Sequence, residues 1–449
     1  MSSPPLSLPG SSSGRACPAG FEKTFRDPVH DFITVREPLL VRLVDTPEFQ
    51  RLRRLRQLGT AAGTYHGAEH SRFGHGLGAM HVMGKVLARL RQTGTAAIDP
   101  ELELLAKAAA LLHDIGHGPM SHGLERVLTP GCGHEEWTRR ILVGPTEVHE
   151  VLEAYAPGTS ERVVRVLAGD LPEGLAWVHT LVASQLDVDR MDYLLRDALY
   201  TGAFYGRFDL ERLINTLTMA EGRVAFTYKG IPTAEEYVLA RYYMYWQVYF
   251  HKTTRAQDLV LRNIWRRAVE LAARGGLDAG GLGVLPSLRP FLSSHEPTLS
   301  DYLALDDHDI LYAIKLWQRH PDPILADMAQ RFVHRRLLKP VWRQPPADIT
   351  PDQLEAAQQI VRRGGWDPAY YCLVDRAADV AYDLYTEGAP LPAPASAAPP
   401  ILALDASGRL RELSAVSDII RALAARRRTA ANLYVPAEVR PEVAASLGS

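Results

Sequence analysis

The stretch that decides the fold runs AAALLHDIGHGPMSH, residues 108–122. Upstream of it, Leu102, Leu105, Ala109 and Leu112 recur at three- and four-residue steps, the period of a helix buried along one face. That pattern predicts a helix ending before the Gly-rich break at Gly116, with His113, Asp114, His117 and His122 gathered at or just beyond its end. An imidazole and a carboxylate on adjacent helical positions diverge by about 100°, enough to embrace one ion. His75, in HSRFGHGLG, and an aspartate of QLDVDRMDYLLRD are the donors that would complete the set. Two imidazoles and two carboxylates suit Mn²⁺, Fe²⁺ or a similar divalent ion. Cys17, Cys132 and Cys372 are too few and too scattered for a thiolate zinc site or a disulfide framework, which fits a reducing cytoplasm.

Outward from this stretch, the chain reads as mainly α. FEKTFRDPVHDFITVREPLLVRLVD, residues 21–45, suggests a short strand pair leading into a helix, and residues 47–220 carry mostly helical spacing. RVAFTYKGIPT, 223–233, reads as a small hairpin, and residues 234–271, free of Pro and Gly, as one long helix. The opening 1–20, rich in Ser, Pro and Gly, reads as a disordered tail, 21–386 as a helical core with an extension, 387–400 as a Pro/Ala-rich linker or loop, and 401–449 as a small C-terminal α+β element. Within the last, ILALDASGRLREL is expected to turn on Ser407-Gly408.

The 449 residues exceed what one hydrophobic core usually organises, so one elaborated domain with appendages, or two domains, is expected. Hydrophobic residues at 46% with no apolar run near the roughly 18 residues of a membrane span indicate a soluble protein. Fifty Lys+Arg against 52 Asp+Glu give a formal charge of −2, which leaves no general field for nucleic acid and makes any phosphate-binding patch local.

The order His75, His113-Asp114, Asp189 resembles the metal-binding His…His-Asp…Asp set of the HD-domain phosphohydrolases. DPVHDFITV, DTPEFQRLRRLRQLG, HSRFGHGLGAMH, LLHDIGHGPMSH, GHEEW and LDVDRMDYLLRDALYTG look, in that order, like the motifs of the deoxynucleoside triphosphate triphosphohydrolases, over roughly residues 21–260. The resemblance implies an HD-domain helical core with small β hairpins. It also implies attack of water on the α-phosphorus of a dNTP, releasing the deoxynucleoside and inorganic tripolyphosphate. Asp189 falls where the family has its fourth metal ligand, with Asp187 held in reserve. His122 falls at the leading proton-transfer position, with His117 beside it, His134 as a further active-site histidine, and Glu125 where many relatives have Asp.

On the same basis Gln57 and Leu58 match a pair that touches the sugar, and Arg72 a phosphate-binding arginine. Arg190, Tyr193 and Asp197 match the ligand-facing side of the aspartate helix. Tyr237, Arg241, Tyr245 and Tyr249 follow at four-residue steps with Lys252 close to their stripe; the resemblance makes this face substrate-binding, with Tyr245 standing where the vertebrate sterile-alpha-motif and HD-domain enzyme has His. Lys23, Asp45, Gln50 and Arg53 match that enzyme's activating-nucleotide pocket, whereas Arg26 stands where it has Asn. The implied cofactor is one divalent metal ion per site, with further Mg²⁺ or Mn²⁺ on the triphosphate. The implied partners are a dNTP substrate, an activating nucleotide and further copies of the chain as a dimer or tetramer. Alternatives are an HD phosphohydrolase acting on another nucleotide or a nucleic-acid end, and a nucleotide-sensing scaffold without turnover.

Overall fold

Asp99 accepts the amide of Leu102 at 2.7 Å and Pro100 follows at the first helical position, so the helix leading into the decisive stretch starts on a paired cap. A computed structural model describes residues 22–94, 96–278, 285–293, 296–341, 349–379, 399–424 and 428–447. The 1–20 tail and residues 387–398 of the expected linker lie outside the described residues. The site is carried by six helices: α1 (Arg72–Gln92), α2 (Pro100–Leu112), α3 (His134–Val143), α4 (Val188–Thr201), α5 (Ile231–Met244) and α6 (Lys252–Ala273). α1 and α2 pack closely because α2 offers Ala106, Ala108, Ala109 and Ala110 and α1 offers Gly76. A Cβ on Gly76 would stand 3.1 Å from the Leu111 carbonyl oxygen.

The fold is mainly α with small sheets. β1 (Lys23–Asp27) and β2 (Asp31–Val35) form the expected antiparallel pair. β3 (Leu217–Ala220) and β4 (Arg223–Phe226) turn on Glu221-Gly222, both at positive φ, so the 223–233 hairpin needs correction: it starts upstream, and 231–233 already belong to α5. β5 (Lys339–Val341), β6 (Leu373–Asp379), β7 (Leu402–Leu404), β8 (Leu410–Glu412) and β9 (Arg428–Val435) complete the sheets. β7 and β8 pair across Gly408, as read, and extend the β3–β4 hairpin into the order β3-β4-β7-β8; β9 lies between β5 and β6. The chain after residue 400 thus contributes to two sheets.

The single helix expected over 234–271 is two. α5 gives way to a π turn at Tyr245–Tyr249, Phe250 leaves helical geometry, and His251 restarts the chain by capping the Thr253 amide at 3.2 Å. Neither Pro nor Gly marks the break, and the extra residue of the π turn shifts the register of everything after it.

Two apolar cores result. One gathers Leu77, Val86, Leu111, Leu194 and Val238 around α1, α2, α4 and α5. The other gathers Val260, Ile264 and Trp265 of α6 with Ile310, Leu325 and Tyr434. The 113–124 loop runs between them, Ile115 in the first and Met120 and Leu124 in the second. Arg51 pins this junction: fully buried, it donates to the carbonyls of His117 at 2.9 Å, Leu305 at 2.8 Å and Tyr302 at 3.4 Å. Tyr302 adds a hydroxyl bond to the Gly116 carbonyl at 2.7 Å and stacks on Trp137. Arg51→Met should lower unfolding free energy by about 3 kcal/mol in urea titrations, because buried carbonyls lose their donors; an unchanged midpoint would show that the junction holds without it.

Candidate functional site

α2 stops at Leu112, and the next two residues turn inward. His113 keeps helical backbone angles and its Nδ1–H donates to the Ala110 carbonyl at 2.8 Å, which leaves Nε2 facing α1. There it meets His75 Nε2 at 3.2 Å, and Asp189 Oδ1 from the first turn of α4 stands 2.9 Å from His75 and 3.4 Å from His113. Both Nδ1 atoms are committed, so two lone pairs face each other beside a carboxylate, an arrangement that a cation between them relieves. Among the described residues His75, His113 and Asp189 form a group able to hold a metal ion. Asp114 stands slightly farther off, Oδ1 3.5 Å from His113 Nε2 and Oδ2 3.7 Å from His75 Nε2, with Oδ2 engaged by Arg72.

His75 is aimed by Asp192. This buried carboxylate accepts His75 Nδ1–H at 2.8 Å, His30 Nε2–H at 2.7 Å and the Arg196 guanidinium at 2.8 and 2.9 Å. Asp27 in turn holds Arg196 at 2.9 Å and the amides of Val29 and His30, which ties the β1–β2 turn to the ligand. Burial opposes a charge on His75, but Asp189 and Asp192 outweigh it and lift the imidazole to about 10. Asp187, the reserve ligand, caps α4 instead, accepting the Arg190 amide at 2.7 Å and the Ser184 amide at 2.9 Å.

A second histidine group, His117, His122 and His134, adjoins the first. Glu125 accepts His122 Nδ1–H at 2.9 Å and His134 Nδ1–H at 2.6 Å, leaving their Nε2 atoms available for proton transfer. Burial alone would raise Glu125, but these two donors hold its carboxyl far below the usual range. His117 stacks on His134 at 3.9 Å, and burial together with the Arg72 charge drives it neutral.

The second group, with Asp189 of the first and the adjoining Asp114, opens on a cavity of about 420 Å³. Asp114, Asp189, Arg72, His117, His122 and His134 line one part of it. Gln57, Leu58, Arg190, Tyr193, Asp197, Tyr245 and Tyr249 line the remainder with Thr60, Arg255 and Asp258, which carry no motif that sequence reading could use. Tyr249 donates its hydroxyl to Asp197 at 2.8 Å, and His70 fixes the other Asp197 oxygen at 2.8 Å. The expected stripe on one helix face needs correction. Tyr237 is core, its hydroxyl on the Gln185 carbonyl at 3.1 Å, and Lys252, carried round by the π turn, lines a separate cavity with Arg335, Lys339 and Arg440. Arg241 is buried against the Tyr245 ring, its guanidinium carbon 5.5 Å from the centroid and its Nε without a partner among the described residues. Lys23 pairs with Asp45 at 2.5 Å, Gln50 donates to the adjacent Val44 carbonyl at 2.7 Å and Arg53 donates to Gln50 at 2.9 Å, so these four residues lie near one another outside both cavities.

The HD domain model matches residues 72–197, and a model described as HD associated region matches 208–280. The uncharacterized protein YwfO of Bacillus subtilis is 38% identical over 93% of each chain. The crystal structure of a phosphohydrolase from Bacteroides thetaiotaomicron superposes with a TM-score of 0.78 at 32% identity, over 92% of this chain and 99% of that one. The chain belongs to the HD-domain phosphohydrolases. Among them, a deoxynucleoside triphosphate triphosphohydrolase SAMHD1 homolog of Dictyostelium discoideum is 30% identical over 55% of this chain and 49% of its own. The chain thus spans about half the length of that relative.

Within this HD fold, sequence reading passed over His30, Asp27 and His70 as supporting residues. The signal for the first two was present, since both lie in DPVHDFITV, but their partner Asp192 is 162 residues from His30. No described helix is long and apolar enough to cross a membrane. Asp192→Asn should weaken Mn²⁺ binding, read by calorimetry, by about 10–100-fold, the usual effect of disturbing a residue that orients a ligand; wild-type affinity would remove Asp192 from the site's support.

Proposed function

We propose that this HD-domain hydrolase cleaves deoxynucleoside triphosphates to the deoxynucleoside and inorganic tripolyphosphate. The observation that carries the reading is the shared cavity. Paired metal-type donors and a proton-transfer group line one part of it, and a tyrosine–carboxylate pair of sugar-binding type lines another. His75, His113, Asp114 and Asp189 would hold a divalent ion such as Mn²⁺ or Fe²⁺. Bound there, it would polarise a phosphoryl oxygen and acidify a water. Arg72, Arg190 and the buried Arg241 supply positive charge for the phosphates, and an ion of the Mg²⁺ or Mn²⁺ type can accompany them.

Tyr249, fixed through Asp197 and His70, packs beneath the deoxyribose, where a 2′-hydroxyl would collide with its ring; Gln57 and Leu58 bound the sugar from the other wall. His122, its Nδ1–H fixed by Glu125, exchanges a proton at Nε2 with the attacking water or the departing 5′ oxygen, and His134, held by the same carboxylate, stands ready to share it. His117, kept neutral, lends a hydrogen-bonding nitrogen rather than a charge. Lys23, Asp45, Gln50 and Arg53 are assigned to binding an activating nucleotide between copies of the chain, so one dNTP would accelerate hydrolysis of another and raise the oligomeric mass.

The test is anion-exchange analysis after incubating the protein with each dNTP and Mn²⁺. Tripolyphosphate is expected; orthophosphate or pyrophosphate would assign the fold another substrate chemistry. His122→Ala should lower turnover by about 10²–10⁴-fold with Mn²⁺ content preserved, and a variant as fast as wild type would remove His122 from proton transfer.

A further inference from the structure

The metal donors stand in the wall between two cavities. The second, of about 690 Å³, is enclosed by α3 with the Thr159–Ala168 and Ala176–Val182 helices, of which only His134 also lines the first. Asp114, His134, Asp189 and Arg190 line both, and His113 lines the second. At its mouth Glu135, Arg139, Ala168 and Ala183 are exposed, and at its floor the His113 and Asp189 side chains retain 12% and 27% exposure. The donors are therefore reachable from this side as well as from the nucleotide side.

The lining charge selects what can travel there. Five carboxylates, Asp114, Glu135, Glu136, Asp187 and Asp189, face it against two arginines, Arg139 and Arg190, with His113, His134 and His179 also in the lining. Glu136 engages Arg139 at 2.8 Å and Asp187 engages Arg190, so the paired charges largely cancel. Glu135 adds its charge at the mouth, and at the floor stand the carboxylates of Asp114, engaged by Arg72 from the nucleotide side, and Asp189, beside His75 and His113. A passage lined in this way attracts a divalent cation and repels a polyphosphate.

We infer that the divalent ion enters and leaves the HD site through this second cavity, so that metal exchange continues while a nucleotide fills the first. The inference rests on the assignment of His75, His113, Asp114 and Asp189 as the metal ligands. Its consequence is that bound substrate does not trap the ion kinetically, so the site re-equilibrates with the supply of divalent cation while dNTP is bound.

The test measures release of Mn²⁺ from the loaded full-length protein into excess EDTA. The comparison adds a saturating dGTP analogue whose 5′ oxygen is replaced by methylene, which prevents cleavage. Release within about twofold of the rate without the analogue is expected. Ala168→Trp and Ala183→Trp, exposed positions that tolerate bulk, should slow release and loading together by about tenfold, leaving Mn²⁺ affinity unchanged because both directions cross the same barrier. Turnover of the loaded variants should match wild type. Release that stops with the analogue while the tryptophan variants exchange at the wild-type rate overturns the inference and leaves the metal assignment standing. A protein that takes up no Mn²⁺ overturns both.

Discussion

His75 Nε2 and His113 Nε2 stand 3.2 Å apart with both Nδ1 positions already donating, one to a buried carboxylate and the other to a backbone carbonyl. Neutral imidazoles held in that way turn lone pairs at each other. The contact is sustained by positive charge: a proton, which the elevated His75 supplies, or a divalent ion, for which Asp189 offers the third donor. Much of the first core can be understood as the apparatus that keeps this contact. α2 must end at Leu112 so that His113 can turn in, and Gly76 must lack a side chain so that α1 comes close enough to present His75. Asp192 must be saturated by His30 and Arg196 so that its remaining oxygen aims the ring.

The second core meets this apparatus along the 113–124 loop, and the electrostatics there separate two kinds of histidine. Beside carboxylates, His75 and His113 are raised; beside Arg72, the buried His117 is lowered. Glu125 stays ionised between His122 and His134 because both donate to it. Raised and lowered imidazoles thus meet at one carboxylate, Asp114, whose Oδ1 stands 3.5 Å from His113 Nε2 and 3.3 Å from His117 Nε2. Arg51, donating to carbonyls of the loop and of the second core at once, ties the loop that carries His117 to that core.

What the sequence made legible was local. The helix before His113, the β1–β2 pair and the Ser407-Gly408 turn follow from periodicity and turn chemistry over a dozen residues or fewer. The order of the HD motifs placed His75, His113, Asp114 and Asp189 together, and the fold brings them to one wall. What it hid depended on register or on distance along the chain. The π turn at Tyr245–Tyr249 has no Pro or Gly to announce it, yet it separates Lys252 from the tyrosines that line the cavity. Glu221 adopts the left-handed conformation that glycine usually marks, so the β3–β4 hairpin begins earlier than its strand residues suggested. Arg51 reads as one of many arginines in an Arg-rich helix; its partners at Tyr302 and Leu305 are more than 250 residues away.

The proposed hydrolysis is attack of water on the α-phosphorus, and the measurement that tests it most directly is isotopic. Hydrolysis of a dNTP in ¹⁸O-labelled water, read by mass spectrometry of the products, reports which atom was attacked. Label in the tripolyphosphate, with none in the deoxynucleoside, is the result predicted. Label in the deoxynucleoside 5′-hydroxyl would mean attack at carbon, and label in orthophosphate or pyrophosphate would mean cleavage farther along the chain; either would contradict the account.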